Sequence, residues 1–149
     1  MALANLGELA SAQKDYPQAR TFFQAAEEIN LMDPDEWTSL ILSNNLADVA
    51  IATGDLQAAV RNAQAALEMA EAQQSPHQIG LALFHLSRIW QLRWPDAAES
   101  LLAAVSAGDE VEKDLRERAA SLLGARVEVL SLEAAARLAH DLLKASANQ

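Results

Sequence analysis

The side chains able to do chemistry are few and scattered. His77, His85 and His140 lie in three separate stretches, with no HExxH pattern and no His pair at metal-ligand spacing. His77 follows Pro76 at a helix start and is expected to face solvent. His140 falls on a polar helix face with Arg137, Asp141 and Lys144. Asp33, Asp35 and Glu36 are dense enough to suggest a cation site. An EF-hand loop, however, needs about twelve residues with a central Gly and a terminal Glu, and helix capping accounts for all three carboxylates. There is no Gly-rich phosphate loop and no nucleophile elbow. The chain has no Cys, hence no thiolate ligand, no cysteine nucleophile and no disulfide. The pattern points away from an enzyme, and neither metal nor cofactor is expected. What remains is amide chemistry. Asn44 and Asn45 stand four and three residues before Asp48, so the three share one helix face. An Asn amide donates to a backbone C=O and accepts from an N–H at once, which suits recognition of an extended peptide.

The elements that position these groups are helices. Ala, Leu, Glu and Gln dominate, aromatic residues make up 5%, and there are only five Gly and four Pro, an all-helical profile. A chain of 149 residues makes about one domain and buries roughly 70% of its unfolded surface. No apolar run approaches the roughly 18 residues of a membrane span. Met1-Ala2-Leu3-Ala4-Asn5 lacks the basic start of a signal peptide, and a cytoplasmic location is expected. The net charge of −10 argues against nucleic acid or an anionic membrane as partner and favours neutral or cationic partners.

Local signals divide the chain into helical hairpins. The first unit, about 1–30, carries Leu6, Leu9 and Ala10, breaks at Lys14-Asp15-Tyr16-Pro17, and resumes with Ala19, Phe22, Phe23, Ala26 and Ile29. Asp15 is the expected N-cap, with Gln18 three residues on. Asp33-Pro34 and Glu36 signal the start of the second unit, about 34–73. Its first helix, Glu36 to Thr53, has an apolar stripe at Leu42, Leu46, Val49 and Thr53. Gly54 then stops that helix and Asp55 starts the next, from Leu56 to about Gln73. Ser75-Pro76 opens the third unit, about 76–107; its first helix reaches about Leu92, and Trp94-Pro95-Asp96 starts the second, which ends near Gly108. Asp109 with Glu112 opens the fourth, about 109–147, whose first helix is expected to reach Leu130; Ser131 caps the last, Leu132 to about Ala147. Eight helices result. Trp90 is expected in the core and Trp94, at a turn beside Arg93, partly exposed. The mixed charges from Asp109 to Arg118 read as a solvated helix face.

The units repeat. Leu6, Leu46 and Leu86 fall 40 residues apart, and Ala19, Ala59, Ala98 and Ala135 recur at 40, 39 and 37. Such self-similarity points to stacked supersecondary units. Gly7, Ala47 and Ser87, and the four alanines, are the small residues that let helices approach closely. Met1 to Ala12 is rich in Ala and Leu with few charges, and reads as an exposed stack end or a dimer surface.

In these positions the chain resembles the tetratricopeptide repeat. Leu6-Gly7, Asp15-Tyr16, Ala19, Phe23 and Ala26 match that family's positions in order, as do Leu46-Ala47, Gly54-Asp55-Leu56, Ala59 and Ala66. The third unit matches through Leu86-Ser87 and is one residue short in its turn; the fourth is degenerate, through Leu122, Leu132, Ala135 and Leu142. The period is near 40 rather than the family's common 34, as in the longer repeats of bacterial signal-transduction ATPases and regulatory scaffolds. HEAT-type repeats are the runner-up.

The resemblance implies one domain over 1–149, a right-handed α-solenoid of about four hairpins. The first helix of each would line a concave groove for a peptide or partner helix. Projected onto this chain, the groove positions are Asn5, Glu8, Asn44, Asn45, Asp48, Ile51, Phe84, His85, Arg88, Gln91 and Ser121. Asn45 would anchor partner backbone, and Asp48 and Arg88 would select charge or pair with each other. The family's carboxylate-holding positions read Ala4, Glu8, Asn45, Leu81 and His85 here; only Asn45 fits, and Glu8 would repel a carboxylate. The implied function is a non-enzymatic interaction scaffold, the regulatory or sensor arm of a larger bacterial signalling protein. The alternative is a scaffold that self-associates through its N-terminal end.

Overall fold

The computed structural model describes residues 1–123 and 129–148. Among these the chain is all-α, with eight helices: α1 (Ala2–Ala12), α2 (Tyr16–Met32), α3 (Glu36–Thr53), α4 (Leu56–Ala72), α5 (Pro76–Trp90), α6 (Pro95–Ala107), α7 (Lys113–Leu122) and α8 (Leu132–Ala147). No helix is long and apolar enough to cross a membrane.

Several helix ends sit where local chemistry places them. The Asp15 carboxylate accepts from the Gln18 N–H at 3.2 Å, and the Ser131 hydroxyl from the Ala134 N–H at 3.1 Å. Gly54 terminates α3 at φ +77°, its N–H directed back to the Ala50 and Ile51 carbonyls. That left-handed conformation costs an L-residue with a Cβ about 1–2 kcal/mol.

One cap and one boundary differ from expectation. The N-cap of α3 is Asp35, not Asp33: α2 runs on to Met32, and Asp33 is extended (φ −144°, ψ 85°) because it precedes Pro34, whose ring disfavours helical backbone there. Asn30 fixes this join. Its Oδ1 accepts from the Asp35 N–H at 3.0 Å and its Nδ2 donates to Ser39 Oγ at 2.7 Å. Likewise α7 begins at Lys113 with Glu112 as N-cap, rather than at Asp109, and is over by Leu122, with Leu123 extended at ψ 134°. Of the expected extension toward Leu130, residues 124–128 lie outside the described residues, and Val129 and Leu130 are not helical.

The exposed Asp35 carboxylate is held below its ordinary value of 3.8 by hydrogen bonding from Thr38, side chain first and then backbone. The Thr38 N–H donates to Asp35 Oδ2 at 2.7 Å. A lowered folded value contributes stability that is complete above the unfolded value and drains away as pH falls through the folded one. Asp35→Ala is therefore expected to lower the melting temperature at pH 7. The gap to the parent protein should close below pH 3.8, as followed by circular dichroism melts across pH.

Close contacts divide the chain into two compact units, Met1–Met69 and Ala70–Gln149. In the first, α1 packs on α2 and α3, and α2 on α3. The core there comprises Ala4, Ala10, Ala19, Phe23, Leu42, Leu46 and Val49, with Tyr16, Phe22 and Ala26 against it. Gly7 is what lets α1 approach: a Cβ there would lie 2.5 Å from Phe23 Cε1, so the Phe23 ring occupies the space a side chain would need. In the second unit α5 is central, packed by α6, α7 and α8, while α6 also carries α7 and α8. Both α7 and α8 dock on α5 and α6. Trp90 is buried and meets Trp94 edge-on, 5.4 Å between centroids, while Trp94 is half-buried with the Arg93 guanidinium 4.7 Å over its ring. The spaced alanines Ala19, Ala59, Ala98 and Ala135 are all at most 1% exposed. Of the spaced leucines, Leu46 and Leu86 are buried and Leu6 is 43% exposed.

Candidate partner-binding surface

In the first unit, two groove residues chosen from separate helices meet. Asn45 Nδ2 on α3 donates to Glu8 Oε1 on α1 at 3.2 Å. Asn45 is half-buried and Glu8 exposed, with Asn5 exposed one turn before it on α1. Asp48 and Ile51 are half-buried on α3. The face so formed carries two amides and two carboxylates. Its carboxylate and amide oxygens are the acceptor types that backbone N–H groups or cationic side chains of a partner would use.

Asn44 does not join it. It is 2% exposed, a correction to its place in the groove. One residue is about 100° of helix, and α3 buries Leu40, Leu42, Ser43, Leu46, Ala47, Val49 and Ala50 as well, so that turn carries Asn44 inward.

In the second unit, Phe84 and His85 are also buried, at 2% and 3% exposure, with ring centroids 6.3 Å apart. The position of α5 beneath three helices accounts for this, and neither side chain is presented to a partner as the groove assignment requires. Arg88, half-buried on α5, stands 5.9 Å from the Phe84 ring centroid. Arg118 of α7, within the mixed-charge run, lies closer at 4.9 Å. Two guanidiniums on one ring form a cation–π cluster, with Arg118 exposed at its edge. Ser121 is exposed, its hydroxyl donating to the Arg118 carbonyl at 2.7 Å, and Gln91 is exposed just past the end of α5. The signal for Arg118 was a cation facing an aromatic on another helix, which one-dimensional spacing does not encode.

The histidines outside the surface have local partners. His77 is half-buried rather than solvent-facing: its Nδ1 accepts from the Glu112 N–H at 3.3 Å. His140 reaches Glu71 Oε2 at 2.7 Å. Among the described residues no three His, Asp or Glu side chains gather as a metal ion would need. Comparison with family models, with curated proteins and with solved structures gives no match.

Proposed function

We propose that this chain is a non-enzymatic scaffold for protein–protein interaction, built as a right-handed α-solenoid of tetratricopeptide-like hairpins. Its place would be the cytoplasmic regulatory or sensor arm of a larger bacterial signalling protein. Successive helices that pack as hairpins, alternate helices that meet (α1 with α3, α5 with α7) and evenly spaced buried alanines all favour repeated units. The observation that carries the functional reading is the Asn45–Glu8 bond. It joins two alternate helices into one polar face, at the positions where a peptide-binding repeat protein would present its contacts. Glu8, exposed at that face, biases it toward a neutral or basic peptide.

A photo-crosslinking residue in place of Asn5 should capture the partner in the native cell, while one in place of Gln57, exposed on α4, should not. For the captured partner, Asn45→Ala is expected to weaken binding about tenfold, near 1.4 kcal/mol, with little change in melting temperature. Arg88→Glu tests the second unit in the same assay. Unaltered affinity in both variants would end the groove reading.

A second reading, self-association through the N-terminal end, is favoured by the apolar surface the first unit exposes. Leu6, Leu9, Ile29, Leu31 and Met32 are 43%, 56%, 60%, 72% and 86% exposed. Apolar exposure concentrated on one part of a molecule marks interaction surfaces.

A further inference from the structure

Between the first turns of α5 and α8 the second unit holds an open cavity of about 330 Å³. That is within the range that takes small molecules, roughly 300–1,000 Å³. Pro76 and Ile79 of α5 and Leu132 and Ala136 of α8 give it an apolar floor. Three carboxylates stand around that floor: Glu71 from the end of α4, Glu110 from the loop before α7, and Glu133 from α8. Among the described residues that line the cavity, none is Lys, Arg or His.

Two of the carboxylates are placed by the fold. Glu71 Oε2 meets His140 Nε2 of α8 at 2.7 Å. A carboxylate accepts at about four positions, so that bond leaves capacity for a further donor. Glu110 is placed by its neighbour. Val111 is 2% exposed, and its N–H donates to the Gly108 carbonyl at 3.0 Å. A Cβ on Gly80 or on Gly108 would lie 2.9 Å from Val111 Cγ2, so the valine is seated against both glycines. The exposed Glu110 is thereby left at the edge of the cavity.

These features select a class of ligand. The N-terminal ends of α5 and α8 contribute about half a positive charge each, and Arg137 pairs with Glu133 at 2.7 Å. Three carboxylates outweigh them, so an anion is repelled. A divalent metal needs its oxygen ligands gathered around one point at about 2.0–2.6 Å. Among the described residues no three acidic or His side chains gather in that way. Carboxylates spread around an apolar floor suit an ammonium on a hydrocarbon body, which buries the body and keeps the charge at the rim.

We infer that this cavity binds a small organic cation, a primary amine on an apolar body. Glu71 and Glu110 take the ammonium, and Ile79 and Leu132 the hydrocarbon. The inference is independent of peptide binding at Asn45.

Titration of the isotope-labelled whole chain with 2-phenylethylamine, followed by amide chemical shifts, tests it. Saturable shifts are expected at Gln74, Ile79, Glu110 and Ala136. The amine should bind about tenfold more tightly than 2-phenylethanol or phenylacetate at the same ionic strength. Glu110→Gln should weaken it about threefold. Glu28→Gln, exposed in the first unit and equal in charge change, should leave it unaltered. Both positions are exposed, so both variants should fold. Shifts that do not saturate, or equal binding of the three compounds, would overturn the inference. Equal weakening in the two variants would do so as well, since it would show only general attraction to a chain of net charge −10. Tighter binding of an N-acetylated lysine–leucine amide than of the amine would assign the cavity to a partner's side chain and overturn a small-molecule occupant.

Discussion

Phe23→Ala is expected to lower the unfolding free energy by about 3–5 kcal/mol, a large share of the roughly 5–15 kcal/mol typical of a domain. Phe23 is 1% exposed and is the largest side chain of the first unit's core. Its ring lies directly over Gly7, where a Cβ would come within 2.5–2.8 Å of three ring carbons. Truncation removes the ring from the joint between α1 and α2 and leaves a void that helix backbone cannot collapse to fill. Urea denaturation followed by circular dichroism reads the loss as a lower midpoint. The close approach provides a second arm. Gly7→Ala alone should destabilise by about 1–3 kcal/mol through overpacking, and Phe23→Leu should recover part of that by withdrawing the ring edge. A double-mutant cycle with no coupling would show that Gly7 is not held small by Phe23.

Trp90→Ala is expected to cost a similar amount in the second unit, about 3–5 kcal/mol. Trp90 is 3% exposed at the last turn of α5 and stacks edge-on with Trp94 at the start of α6. The backbone follows the rings, with the Trp94 N–H donating to the Trp90 carbonyl at 2.8 Å. Loss of the indole therefore removes buried area and loosens the tight turn between two helices that both carry α8. Trp90→Phe keeps an aromatic edge for Trp94 and should cost less. If Trp90→Ala melts within a degree or two of the parent, the indole is not the anchor of this turn.

The dependence on neighbours explains which groove residues could be read in one dimension. Asn45 and Glu8 are far apart in sequence, yet they bond. Both sit on helices whose phase is fixed by strong local anchors, Ala4-Gly7-Ala10 on α1 and Leu42-Leu46-Val49 on α3. Asn44 was equally legible as a helical residue but not as a buried one, because amphipathic spacing identifies a face only when a single face is covered. The same failure took Phe84 and His85, on a helix packed by three others. Arg118 is not legible in one dimension for the opposite reason: its ring partner belongs to another helix.

By itself the sequence determined the number of helices, most of their ends and the small residues on which they approach. These follow from short-range physics: capping at Asp15 and Ser131, the left-handed stop at Gly54, and apolar residues recurring every three or four positions. Only the tertiary structure decided that Asp35, not Asp33, caps α3, because Asn30 on the preceding helix holds that backbone. It alone decided that α8 docks on α5 and α6, and which polar side chains remain at the surface. A helix specifies its own faces within a few residues, whereas the choice of which faces are covered is made by side chains tens of residues away.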